Sequence, residues 1–145
     1  MKDLVSQIGL VQVFGPAVLS ADQTAVATDL QGYHSAVVEV AVGVGGITFD
    51  ADNKIDFKLE HSDDGTTYTS VTEADLVGDA VPATVTTGYY LSLVAAHAAA
   101  TVQKFGYIGG KRYLRHDIEF SGTHGTGTPI SVTLIKGDAE LQPVA

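Results

Sequence analysis

The sequence predicts an all-β protein: an antiparallel β-sandwich, jelly-roll-like, with seven to nine short strands. Three observations carry that expectation. Apolar and polar residues alternate with period two in several segments, the pattern of a strand with one buried and one wet face. Thr and Val are frequent, and 16 glycines punctuate the 145 residues, which suits strands and turns and disfavours helices. Several short strands in a chain of one-domain length then imply two packed sheets.

Taken in order, residues 1–30 are weakly patterned, and Gly15-Pro16 interrupts them. The segment of about 1–27 reads either as an N-terminal arm that orders against a neighbouring subunit or as a frayed end. Ala36 to Val42 reads A-V-V-E-V-A-V, a strand. Gly43-Val44-Gly45-Gly46 reads as a turn, because a phosphate-binding loop needs a following Lys-Ser/Thr and a helix, and Ile47-Thr48-Phe49 follows instead. Ile55 to His61 alternates cleanly, with Ile55, Phe57 and Leu59 on one face and Asp56, Lys58 and Glu60 on the other. Ser62-Asp63-Asp64-Gly65 is a turn sequence, so a hairpin into Thr66–Val71 is expected.

Leu91 to Gln103 contains A-A-H-A-A-A, good helix formers, so at most one short helix is expected near 92–101. Val102 to Ile108 leads to Gly109-Gly110 and Lys111 to Phe120 returns, which predicts a second, tight hairpin. On the return strand Leu114, His116, Ile118 and Phe120 share one face. Pro129 opens a last strand, Ile130–Lys136, and the tail of about 138–145 has no strand period. The whole chain, 1–145, reads as a single β-sandwich domain.

Composition narrows the function. Without cysteine there is no disulfide, thiolate metal site or cysteine nucleophile, which fits assembly in a reducing cytoplasm. The net charge of −9, with 17 acidic against 8 basic residues, repels a phosphate backbone, so no nucleic-acid partner is expected. No run of 18 apolar residues exists; Leu91 to Ala100 is broken by Ser92 and His97. No apolar h-region follows Met1-Lys2, so the expectation is a soluble chain with no membrane partner.

Catalytic sets are missing from the pattern. His34, His61, His97, His116 and His124 make no H-x-x-x-H spacing, and G-x-S-x-G is absent. Asp50-Ala51-Asp52 resembles the start of a calcium loop, but Ile55 and His61 stand where an EF-hand needs Gly and Glu. A solvated turn is the better reading there. His116, on an apolar strand face, is expected to be a core or interface histidine hydrogen-bonded to a neighbour. The expectation is therefore a non-enzyme with no cofactor, no metal and no catalytic residue.

One charge feature stands out. Lys104, Lys111, Arg112 and Arg115, half of the eight Lys and Arg residues, lie on the second predicted hairpin with Tyr107 and Tyr113 between them. These six are the candidate partner-binding residues, since Arg and Tyr are common anchors at interfaces. The competing reading is an ordinary wet sheet face, salt-bridged by Asp117 and Glu119.

Three segments carry a family resemblance: L-Q-G-Y-H-S-A-V-V-E-V at 30–40, F-K-L-E-H-S-D-D-G-T-T-Y-T-S-V at 57–71, and Y-I-G-G-K-R-Y-L-R at 107–115. In this order and spacing they resemble small structural proteins of tailed bacteriophages and prophages, over about residues 28–137. The resemblance implies a virion β-sandwich of the head decoration, or cement, type. Such a protein is made in the bacterial host cytoplasm and binds the outer surface of the head. Its partners would be the major capsid protein and copies of itself, commonly as a trimer. The segment Tyr89–Ala100 departs from the shorter relatives. The alternative is a tail, connector or fibre-associated module that recognises a carbohydrate or host receptor.

Overall fold

Ten strands run through residues 3–141, the part of the chain that the computed structural model describes. They are β1 (Gly9–Leu19), β2 (Val26–Asp29), β3 (Tyr33–Val42), β4 (Lys54–Ser62), β5 (Thr69–Ser70), β6 (Leu76–Val77), β7 (Tyr89–Leu93), β8 (Thr101–Tyr107), β9 (Tyr113–Ser121) and β10 (Thr128–Ala139). The count exceeds the expected seven to nine because β5 and β6 span only two residues each. Two 3-10 turns, Val5–Gln7 and Glu73–Asp75, are the only helical pieces among the described residues.

The strands form two five-stranded antiparallel sheets. One has the order β1-β10-β3-β8-β6; the other has β2-β9-β4, with β5 and β7 sharing the far edge of β4. The pairing is nested: β1 with β10, β2 with β9, β3 with β8 and β4 with β7. A long hairpin folded over itself into two sheets gives this connectivity, which is the jelly roll.

That topology corrects the second predicted hairpin. β8 and β9 do not pair; β8 lies between β3 and β6, whereas β9 lies between β2 and β4 in the opposite sheet. Gly109-Gly110 is a crossover between sheets, with Gly110 in the left-handed region at φ +72°. The first predicted hairpin does form: Glu60 pairs with Ser70 and His61 with Thr69, around a loop longer than the turn sequence alone. The short helix near 92–101 is absent. β7 ends at Leu93, and irregular chain follows to Ala100, anchored where the Gly45 amide donates to the His97 carbonyl at 2.8 Å. An isolated helix of this length is marginal, and these alanines have no apolar stripe to bury.

Of the segment of about 1–27, residues 9–19 form β1 and lie in the sheet beside β10. Its register shifts between Gln12 and Phe14 and again between Phe14 and Ala17, around Gly15-Pro16. Two bulges scramble the period-two signal, so the strand is not visible as alternation. Of the tail of about 138–145, Asp138 and Ala139 end β10, and residues 142–145 lie outside the described residues.

The inner faces carry the residues that alternation predicts: Val38, Val40, Phe105 and Leu134 from one sheet, Ile55, Phe57, Leu59, Leu114 and Ile118 from the other, all essentially without solvent contact. Tyr90 joins the two. The register of β7 slips against β4 between Phe57 and Lys58, which turns Tyr90 inward. Its ring stands edge-on to Phe105 of the facing sheet, with centroids 4.8 Å apart, and edge-on to His116 at 6.0 Å.

His116 is in the core, as its strand face requires, but its expected hydrogen bond is absent. Neither ring nitrogen has a partner among the described residues, and the Tyr90 hydroxyl and Thr28 Oγ1 share that condition. Burial pushes the imidazole down to about 3, so the ring is neutral.

Candidate functional site

The three segments 30–40, 57–71 and 107–115 meet at one end of the jelly roll. They contribute the turn between β2 and β3, the loop between β4 and β5, and the crossover from β8 to β9. In the loop, the Asp64 carboxylate accepts the amides of Thr66 and Thr67, each at 2.8 Å, and the Ser62 hydroxyl at 2.8 Å. Those donors hold its carboxyl at about 2. Gly65 follows at φ +71°, a conformation that a side chain would strain, with the Tyr113 ring packed against it.

The crossover ties the other two segments to this loop. Arg112 donates to both carboxylate oxygens of Asp29, at 2.9 and 2.7 Å, and to Gln31 at 2.5 Å. The fork holds the Asp29 carboxyl below its ordinary range. The Leu30 amide donates to the Arg112 carbonyl at 2.8 Å. Lys111 reaches Thr69 at 3.4 Å and Asp63 at 3.8 Å. The Tyr107 hydroxyl lies 2.9 Å from His61 Nδ1 and accepts the Lys111 amide at 3.1 Å. Burial pushes the Tyr107 hydroxyl up and the His61 ring down, so both stay neutral at this end.

The six candidate residues therefore do not form one surface. Tyr107 is inside the sandwich. Lys104 stands on the outer face of the β8 sheet, opposite Glu39 of β3. Lys111 and Arg112 sit in the crossover and Tyr113 opens β9, with Arg112 stacked 4.9 Å above the Tyr113 ring. Arg115 lies on the outer face of the β9 sheet, bonded to Glu60 at 2.7 and 2.5 Å and packed 4.2 Å above Tyr68. The charges are largely spent within the chain. Asp29, Gln31, Glu60 and Tyr68, which complete these contacts, escaped the sequence reading. Their signal was only that a bidentate arginine wants a carboxylate, and the carboxylate is 83 positions away.

The remaining acidic and glycine-rich pieces are turns. Asp50 accepts the amides of Asp52 at 2.9 Å and Asn53 at 2.7 Å, which keeps its carboxyl below the ordinary range. Gly46 abuts Gly127 so closely that a Cβ would lie 1.9 Å from the Gly127 carbonyl oxygen. No cluster of three or more His, Asp or Glu side chains converges as metal ligands among the described residues.

The outer faces of the two sheets differ. On β4, β7 and β9, Lys54 pairs with Asp56 at 2.7 Å, Lys58 with Glu60 at 3.4 Å, and the Tyr89 hydroxyl donates to Glu119 at 2.5 Å. Asp117, half-buried in this acidic row, has its carboxyl pushed up by burial and by Glu119. The outer face of β1, β10, β3, β8 and β6 instead exposes Leu10, Val18, Val77 and Val102.

No family model matches the chain. No curated protein matches it. Among solved structures the chain is similar to the SPBc2 prophage-derived protein YomS, with 12% identity, 90% of this chain and 93% of that chain covered, and a TM-score of 0.41.

Proposed function

We propose that the chain is a structural protein of a tailed-phage virion, of the decoration type: it binds the outer surface of the head in several copies, contacts the major capsid protein and braces the shell, without catalysis or cofactor. The observation that carries this reading is the convergence of 30–40, 57–71 and 107–115. The segments that resemble phage structural proteins are one connected substructure, tied by Arg112 to Gln31 and by Lys111 to Asp63. A resemblance spread over unrelated surface loops would mean less. Their chemistry in this chain is turn and crossover chemistry, so they specify the fold and leave the outer faces for contact. Repeated weak contacts on a repeated shell add up through multivalency.

A glycan-binding role on a tail, connector or fibre would want an exposed aromatic platform. The six tyrosines offer none. Tyr90 and Tyr107 are buried, Tyr33, Tyr68 and Tyr113 lie under Lys136, Arg115 and Arg112, and Tyr89 is bonded to Glu119. Co-sedimentation of the purified protein with stripped heads tests the proposal. Saturable binding at a fixed ratio to the shell protein is expected; a folded protein that leaves heads bare would move the role to the tail or connector.

A further inference from the structure

We propose that the outer face of the β1-β10-β3-β8-β6 sheet is a self-association surface, on which a second copy of this chain packs about a two-fold axis running along the strands between β3 and β8. The face is built in rows. Leu10, Ile135, Val37, Gly106 and Val77 lie in register across all five strands. The row ends in water, with Leu10 67% and Val77 54% exposed. A polar row follows, Gln12, Thr133, Glu39 and Lys104. A third row, Ser131, Ala41 and Val102, is again mostly apolar, and Val102 is 69% exposed. An antiparallel sheet with one wet face normally sets polar residues there, so two apolar rows are a contact surface.

Charge and symmetry select the occupant. Within these rows Glu39 and Lys104 are the ionisable side chains, so the face is neutral on a chain of net charge −9. Two copies can meet here without the repulsion that the rest of the surface imposes. The two charges sit side by side on β3 and β8. An axis along the strands between them sets Glu39 of each copy against Lys104 of the other. The same operation sets Ile135 against Val77 and Ala41 against Val102. It also places Val37 over Gly106, which has no side chain and where a Cβ would meet Val77 at 2.7 Å. An axis across the strands would instead stack Glu39 on Glu39 and Lys104 on Lys104. The self-complementary order is what an isologous interface requires, and an unrelated partner has no reason to match it.

This pairing does not rest on head binding and stands or falls apart from it. Sedimentation velocity of the full chain, with circular dichroism to verify folding, is the test. The expected species is a pair, twice the 15.1 kDa chain. Glu39→Lys and Lys104→Glu should each weaken association by about tenfold or more, and the double swap should restore it. Val102→Glu should give single chains that keep the β spectrum. A wild-type monomer or trimer would overturn the proposal, as would a pair indifferent to these variants or singly disrupted variants that the double swap fails to rescue. A monomer that binds heads only with Val102 intact would hand the face to the shell protein and overturn it equally.

Discussion

On the outer face of β4, β7 and β9, each cation closes on a carboxylate of the same chain; on the outer face of β10, β3 and β8, a valine or isoleucine stands where a wet sheet would place a threonine or lysine. The two faces belong to one sandwich and share one core. The first satisfies its groups by cross-strand pairs and is complete in a single copy. The second leaves apolar area in water and becomes complete only against a partner. The difference teaches which face of a sandwich is open to a partner. A cluster of arginines draws attention in the sequence; Arg112 and Arg115 bond carboxylates of the same chain, and the apolar side is the face proposed for self-association.

The contrast predicts opposite consequences for substitutions on the two faces. The largest effect is expected at Glu60, whose side chain is 14% exposed between Lys58 and Arg115. Glu60→Lys sets three cations together at a half-buried site. We expect a loss of about 3 kcal/mol in urea unfolding, at the low end for a buried pair because Arg115 keeps 35% of its side chain in water. An unchanged midpoint would mean that this face is not structural.

Next comes acid, acting just beneath the same sheet. His116 sits at about 3 in the fold against 6.5 when exposed, so the folded state disfavours its proton. Its stability contribution is whole above pH 6.5 and is lost as pH falls from there toward 3. At pH 5 the loss is about 2 kcal/mol, and burial of His61 adds in the same direction. The depressed carboxylates Asp29, Asp50 and Asp64 act only below their ordinary values near 3.8, so from pH 7 to 5 the histidines act, opposed by Asp117, whose carboxyl is pushed up. Unfolding curves at those two pH values should differ in wild type, and in His116→Leu the difference should shrink to the smaller part that His61 leaves. Smaller still, and of opposite sign, is Tyr90→Phe, which removes a buried hydroxyl without a partner; a gain of about 1 kcal/mol in the same urea assay is expected.

Much of this fold is legible in the sequence, and the misses have physical causes. The strands around 36–42, 55–61, 113–120 and 130–136 show as alternation because each has one buried face. Gly109-Gly110 marks a turn, but a turn signal does not say which sheet the next strand joins. That depends on β9 finding β4 and β2, contacts far apart in sequence. β1 is hidden by its bulges. Ala95 to Ala100 reads as helix from propensity alone, and propensity yields when nothing packs on it. For the candidate site, the charged residues were visible and their partners were not. The apolar outer face had a signal that went unread: Val37-Val38 and Leu134-Ile135 are consecutive apolar pairs that break the alternation of β3 and β10 locally and set an apolar residue on the outer side.

The smallest effect on stability is expected at Val102, and that is what makes it informative. Its side chain stands in water at one end of β8, so Val102→Glu buries no charge in the isolated chain. At a concentration low enough that both proteins are single chains, urea unfolding should shift by no more than about 0.5 kcal/mol, the ordinary range for an exposed site. A strand prefers Val to Glu slightly, which sets the direction of that shift as a loss. Glu60→Lys and Val102→Glu then separate the faces by two readouts, since the first should lower stability and the second association. If Val102→Glu instead cost as much folding energy as Glu60→Lys, the apolar rows would be packed within the single chain, and the two faces would not differ in kind.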